Sequence, residues 1–185
     1  SFGLRYLKAN LGALESRSVL VETTISQIPM QIVDQVLAHT PRIVGLGVYV
    51  WNTTLCEQVC RLLKTIDPTI QLVLGGPEIS HETSSQPISE LADYIVCGEG
   101  ESVFGELCTS ILCGQVPEQQ ILHGVALPMD QIKRPYRLYT DEDIAKRVTY
   151  VEASRGCPYR CKFCLSSLDK AVRTVDSDSF FEEMN

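Results

Sequence analysis

Residues 43–51 read IVGLGVYVW, a nearly continuous apolar run. A strand with one wet face alternates apolar and polar residues. A strand without that alternation is buried on both faces, which points to a parallel sheet covered by helices on either side. Further strand-like runs are 70–74 (IQLVL), Tyr94–Cys97 and the short β-branched stretch 19–24.

Helical patterns fill the gaps. Residues 4–11 are helical in character, with Gly12 as a stop. Residues 30–38 place Ile32, Val33, Val36 and Leu37 on one face, and Pro41 follows the stop. Thr53 or Thr54 caps a helix on which Leu55, Val59, Leu62 and Ile66 repeat, and Asp67-Pro68 ends it. A short helical patch falls near 89–92. Val103, Phe104, Leu107, Ile111 and Leu112 form the inner face of another helix. Strands alternating with helices predict an α/β fold, an open parallel sheet with helices on both faces.

In such sheets ligands sit outside the carboxyl ends of the strands. Two glycine-bearing turns fall at that edge: Gly75-Gly76-Pro77-Glu78 and Gly98-Glu99-Gly100-Glu101. Each lets backbone approach a large flat ring or a phosphate tail with no Cβ in the way. The plainer alternative is that they only satisfy tight strand-to-helix geometry. They lack the third glycine of a dinucleotide fingerprint.

Charge and cysteine usage narrow the function. The formal net charge is −7 with no basic stripe, which argues against a dedicated nucleic-acid binder. No apolar run approaches the roughly 20 residues of a membrane span, and a cytoplasmic location is expected. Of the eight cysteines, Cys56, Cys60, Cys97, Cys108 and Cys113 are scattered through apolar segments and read as small buried hydrophobes. Cys56 and Cys60 lie one helical turn apart, beside Val59 and Leu63, and core packing accounts for them better than a shared metal.

The other three cysteines crowd into one loop, Glu152-Ala-Ser-Arg-Gly-Cys157-Pro-Tyr-Arg-Cys161-Lys-Phe-Cys164. This is CxxxCxxC after an expected strand over 148–153. A structural zinc site wants four protein ligands. The chain offers no Cys or His after Cys164, and His123 is far upstream. Burial as an unligated apolar cluster fits badly with Arg155, Arg160 and Lys162. In the remaining reading, three thiolates bind three irons of a four-iron cube and leave the fourth iron open.

With Phe163 just before the last cysteine, the loop resembles the radical S-adenosylmethionine (SAM) superfamily. The longer string Glu152, Arg155-Gly156-Cys157-Pro158, Cys161, Phe163-Cys164 resembles its cobalamin-linked class. The resemblance implies an enzyme with a [4Fe–4S] cluster on Cys157, Cys161 and Cys164. SAM would bind the open iron near Phe163 and be cleaved reductively to a 5′-deoxyadenosyl radical and methionine. It also implies that the upstream domain is flavodoxin-like and cobalamin-binding. The corrin would lie near Tyr49, Trp51, Asn52, Gly75, Gly76, Pro77 and Glu78, and the nucleotide tail near Gly98, Glu99, Gly100 and Glu101. Cobalamin would act as methyl carrier or redox partner. A flavodoxin or ferredoxin would supply electrons, and the substrate is a small molecule or is unnamed.

Two other readings stand beside it: an α/β domain that has lost its corrin and docks a substrate or partner, and a zinc-stabilised interaction domain. The Asp-x-His-x-x-Gly string that ligates cobalt in many cobalamin domains is absent. His39, His81 and His123 read as surface or loop histidines.

The expected organisation is a cobalamin-binding-like domain over 1–115, a connecting segment over 116–147 with one or two short strands, and the start of a radical SAM partial barrel over 148–185. A fold of this kind opens with its central strand, so a strand is expected ahead of Ser1. The helical run 179–185 suggests a barrel that continues, and the chain alone is not expected to turn over.

Overall fold

A computed structural model describes residues 1–184. It divides into two compact units, one over Gly3–Ala126 and one over 127–184.

The first unit is built on a four-stranded sheet. In chain order its elements are α1 (Phe2–Ala9), α2 (Pro29–Leu37), β1 (Ile43–Gly47), α3 (Thr53–Ile66), β2 (Gln71–Gly75), β3 (Tyr94–Cys97), α4 (Val103–Leu112) and β4 (Ile121–His123). The strands lie in the order β1-β2-β3-β4, and every neighbouring pair is parallel. Register pairs Val44 with Leu72 and Val73 with Tyr94. All four carboxyl ends therefore share one edge.

Alternation along β2 and β3 sorts the core into two faces. Leu72, Leu74, Ile95 and Cys97 pack with Ile32 and Val33 of α2, Val59 and Leu63 of α3, and Ile88 from the 3₁₀ turn Pro87–Leu91. Val73, Tyr94 and Val96 pack on the other face with Leu107 and Ile111 of α4. β3 is buried along its whole length. Leu63, Leu72, Leu74 and Ile95 are fully buried, each contributing roughly 1.5–3 kcal/mol of transfer free energy. The expected α/β sheet with helices on both faces is the one observed.

The differences have local causes. The run 43–51 is a strand only as far as Gly47, and Val50 and Trp51 are 73% and 65% exposed. β1 pairs only with β2 among the described residues, so its apolar character does not mark burial on both faces. Residues 19–24 form no strand. They have no neighbouring strand to bond to, and Glu22 is gripped instead by the Arg5 guanidinium at 2.7 and 3.0 Å. The cap of α3 is Asn52, and the Thr53 hydroxyl donates to the Tyr49 carbonyl.

The buried face of α3 is Cys56, Val59, Cys60 and Leu63; Leu55 and Leu62 lie at its margin and Ile66 is exposed. Burial pushes Cys56 to about 11, and burial with the neighbouring Cys56 and Glu57 pushes Cys60 to about 12. Cys97 and Cys108 are buried too, but Cys113, at the end of α4, is exposed. The fourth strand of the sheet comes from 121–123, inside the stretch read as a connecting segment.

In the second unit a capping box between Thr140 and Asp143 starts α5 (Asp141–Lys146). β5 (Ser154–Arg155) and β6 (Arg173–Thr174) pair antiparallel, and α6 (Ser177–Met184) follows. The last residue of the predicted run 179–185 lies outside the described residues. The strand predicted over 148–153 does not form. The Tyr136 hydroxyl bonds both N–H and carbonyl of Glu152, and the Tyr139 hydroxyl does the same for Tyr150. Two phenols thus satisfy alternate residues of an extended segment, as a neighbouring strand would.

Candidate functional site

The carboxyl edge of the sheet gathers the residues singled out in the first unit. β1 leads into Tyr49, Trp51 and Asn52, β2 into Gly75–Glu78, and β3 into Gly98–Glu101. Asn52 shapes the first of these turns. Its side-chain oxygen accepts from the Tyr49 N–H at 2.7 Å, and its amide donates to the Gly47 carbonyl at 2.9 Å. The turn so fixed presents Tyr49 and Trp51 as a stacked pair, with ring centroids 4.8 Å apart and planes at 11°. The pair is a flat apolar platform at the strand ends.

Glycine is required at the second turn. Gly76 has φ +107°, and a Cβ there would stand 2.6 Å from the Val48 carbonyl oxygen. That carbonyl accepts from Glu78 N–H, and Val48 N–H donates to the Gly75 carbonyl at 2.7 Å. β1 and β2 are thereby stitched just beyond their last ladder bonds. In the third turn Gly98 has φ +80°, and a Cβ on Gly100 would meet Leu7 and Val96 at 3.1 and 3.2 Å.

Two residues here carry no signal in the sequence. The Ser80 hydroxyl donates to the Gly76 carbonyl at 2.8 Å and accepts from Gly98 N–H at 3.2 Å, tying the second turn to the third. Gly124, just past β4, lies so close to Glu99 that a Cβ would overlap its carbonyl oxygen. A serine four residues beyond a glycine turn is too common to be noticed, and Gly124 becomes visible only once β4 is known to join the sheet.

Half-buried Glu78 and Glu99 and buried Glu101 make this edge acidic. Carboxylates accept hydrogen bonds from amides and hydroxyls, the groups that rim a corrin and its ribose. His39, His81 and His123 are all exposed. The stacked aromatic pair and the carboxylate acceptors fit cobalamin, while Gly75, Gly76 and Gly100 are demanded by close packing within the chain itself. A groove of about 720 Å³ lies at the opposite, amino edge, lined by Leu37, Arg42, Asp67, Ile70 and Ile111, with no aromatic side chain in its lining.

The cysteine loop is in the second unit. Cys157, Cys161 and Cys164 form no disulfide, with Cys161 exposed and the other two half-buried. Cys164 N–H donates to the Cys161 carbonyl at 3.1 Å, so these two cysteines sit at the ends of one tight turn. Among the described residues, no group of three or more Cys, His, Asp or Glu side chains is gathered closely enough to hold a metal ion. The donor chemistry fits an iron–sulfur cluster, since three thiolates within one short loop leave an iron open. Phe163 is 93% exposed. Among the described residues no helix is long and apolar enough to cross a membrane.

Comparison with known proteins places the chain among similar sequences. The chain is 30% identical, over 170 aligned residues, to the 2-(S-pantetheinyl)-carbapenam-3-carboxylate methyltransferase of Streptantibioticus cattleyicolor, covering 78% of this chain and 25% of that protein. It is 29% identical to the cobalamin-dependent radical SAM methyltransferase TokK of Streptomyces tokunonensis, covering 67% of this chain and 22% of that protein. It is 28% identical to the anaerobic magnesium-protoporphyrin IX monomethyl ester cyclase of a Synechocystis species, covering 72% of this chain and 31% of that protein. The chain thus spans about a quarter of the length of the curated relatives it matches. Residues 1–108 match the family model described as the B12 binding domain. That match covers more than half of the chain and takes in three of the four strands with the turns that follow them, and the chain belongs to the B12-binding domain family.

Proposed function

We propose that this chain is the cobalamin-binding domain and cluster-bearing segment of a cobalamin-dependent radical SAM enzyme. The observation that carries the reading is a pairing on one polypeptide: a parallel sheet with two glycine turns and a stacked aromatic pair at its carboxyl edge, followed by three cysteines in CxxxCxxC order that form no disulfide. When bound, the cluster would supply one electron to SAM, and cobalamin would carry a methyl group or an electron.

The chain's own residues take the following parts. Tyr49 and Trp51 give the corrin an apolar face to lie on, and Asn52 holds them in place. Gly75 and Gly76 let backbone approach the ring, with Pro77 and Glu78 at its rim. Gly98 and Gly100 leave a passage for the nucleotide tail, and Glu99 and Glu101 accept from its hydroxyls and amides. His81, just past the second turn, and His123, at the end of β4, lie at this edge, but neither stands in the Asp-x-His-x-x-Gly string of cobalt-ligating domains. Cys157, Cys161 and Cys164 would hold the cluster, and Phe163 would lie against the adenine of SAM.

The electron donor would be a flavodoxin or ferredoxin. A partial barrel beginning near residue 148 would hold the remainder of SAM and the substrate. Titration with hydroxocobalamin, followed by its visible absorbance, tests the first unit. Iron and sulfide analysis after anaerobic reconstitution tests the second. One corrin and one four-iron cluster per chain support the proposal. A stoichiometric zinc and no iron-dependent spectrum would refute the cluster assignment.

A further inference from the structure

The cysteine loop has a neck. The chain leaves it at Cys157 and returns at Asp169, and Cys157 N–H donates to the Asp169 carbonyl at 2.9 Å. Gly156, with φ +87°, packs flat on the returning strand, where a Cβ would overlap the Ala171 carbonyl oxygen. Just outside the neck β5 and β6 pair Arg155 with Arg173, and Val175 N–H reaches the Ala153 carbonyl at 2.9 Å.

The Asp169 side chain fixes this crossing from within. One carboxylate oxygen accepts from Ala171 N–H at 3.2 Å. The other accepts from Arg173 Nη2 at 3.1 Å and lies 3.3 Å from the position a Gly156 Cβ would take. Arg173 is itself anchored, since its Nη1 donates to the Leu127 carbonyl and its side chain is only 16% exposed. An isolated i,i+4 ion pair on a surface does little. This one differs because the residue it immobilises also carries the carbonyl that holds Cys157.

We infer that Asp169 and Arg173 are positioning residues, which close the neck of the cysteine loop and set Cys157 against the turn that carries Cys161 and Cys164. The inference rests on the reading of the three cysteines as cluster ligands. Neither residue touches the cluster; each acts through the backbone of Cys157, as outer-shell partners orient metal ligands elsewhere. Three thiolates that must meet on one cube gain from having one of them placed in advance, because the ordering of the loop is then part of folding and not of metal capture.

The test uses the full chain, with two readouts. The first is amide hydrogen exchange at Cys157 in the metal-free protein. The second is the rate at which an iron chelator strips the anaerobically reconstituted protein. Arg173→Ala is expected to speed both, with iron lost about tenfold faster than from the parent. Arg173→Lys, which can reach one acceptor but not both, is expected to fall between them. Unchanged amide exchange at Tyr150 and Glu152, whose N–H groups donate to the Tyr139 and Tyr136 hydroxyls of the same unit, verifies that each variant is folded. Cys157 exchange and iron loss in Arg173→Ala indistinguishable from the parent would overturn the inference. Failure of the parent to take up iron would sink the cluster reading instead, and Cys157 exchange, read without metal, would still decide the neck.

Discussion

Replacing Gly76 by Ala is the sharpest perturbation of the carboxyl edge. Two costs add. At φ +107° an L-residue is strained by roughly 1–3 kcal/mol. The new methyl would also stand 2.6 Å from the Val48 carbonyl oxygen and 3.0 Å from its nitrogen, so Val48 must move. Val48 takes part in two backbone bonds, to Gly75 and Glu78, worth about 1 kcal/mol each. The expected loss is therefore about 3–5 kcal/mol, a large share of a typical domain's stability.

Gly114→Ala isolates the first cost. Gly114 also has positive φ, +75°, but nothing lies within 4 Å of its Cβ position, so strain alone should appear. The assay is urea unfolding followed by fluorescence of Trp51, the single tryptophan, which reports on the first unit. Gly76→Ala should be about 2 kcal/mol worse than Gly114→Ala, the two bonds at Val48 making the difference. Equal losses in the two variants would refute the claim that Gly76 is required by close approach of backbone.

Other outcomes follow from the same structure. Asn52→Ala removes the bonds to Tyr49 N–H and the Gly47 carbonyl; it should cost about 1–2 kcal/mol and, by releasing the stacked pair, weaken hydroxocobalamin binding in a titration. Cys56 and Cys60 are held at about 11 and about 12, above the usual 9.0, so their contribution is fully present below pH 9 and lost as pH rises toward 12. The urea midpoint of the first unit should fall over that interval, and Cys60→Ala should flatten the fall. A thiol-alkylating reagent on the metal-free chain should label Cys113 and Cys161 before Cys56, Cys60, Cys97 and Cys108, as peptide mapping would show.

Much of the first unit was legible because its signals are local and mutually consistent. The strand at 94–97 and the helices α2 and α4 follow from apolar periodicity and from the Pro and Gly residues that bound them. The inner face of α3 was harder, since Leu55, Leu62 and Ile66 look more apolar than the thiols that are buried in their place. Residues 19–24 and 148–153 have strand composition, but a strand needs a partner. Glu22 is taken by Arg5, and the backbone at Tyr150 and Glu152 is taken by two tyrosine hydroxyls. Propensity does not reveal such competitors. At the edge itself, the glycine turns were visible as strings. Ser80 and Gly124 were not, because their roles depend on which strands are neighbours. Asp169 and Arg173 stayed hidden for the same reason: only the antiparallel pairing of β5 with β6 brings them to Cys157.

The central claim is that the carboxyl edge of this sheet receives a corrin beside Trp51. Hydroxocobalamin absorbs where tryptophan emits, so a bound corrin should quench Trp51. One titration read by visible absorbance and by Trp51 emission is the direct measurement. Saturation is expected at one equivalent, with both signals giving the same dissociation constant. Binding that leaves Trp51 emission unchanged, or no binding at all, would contradict it.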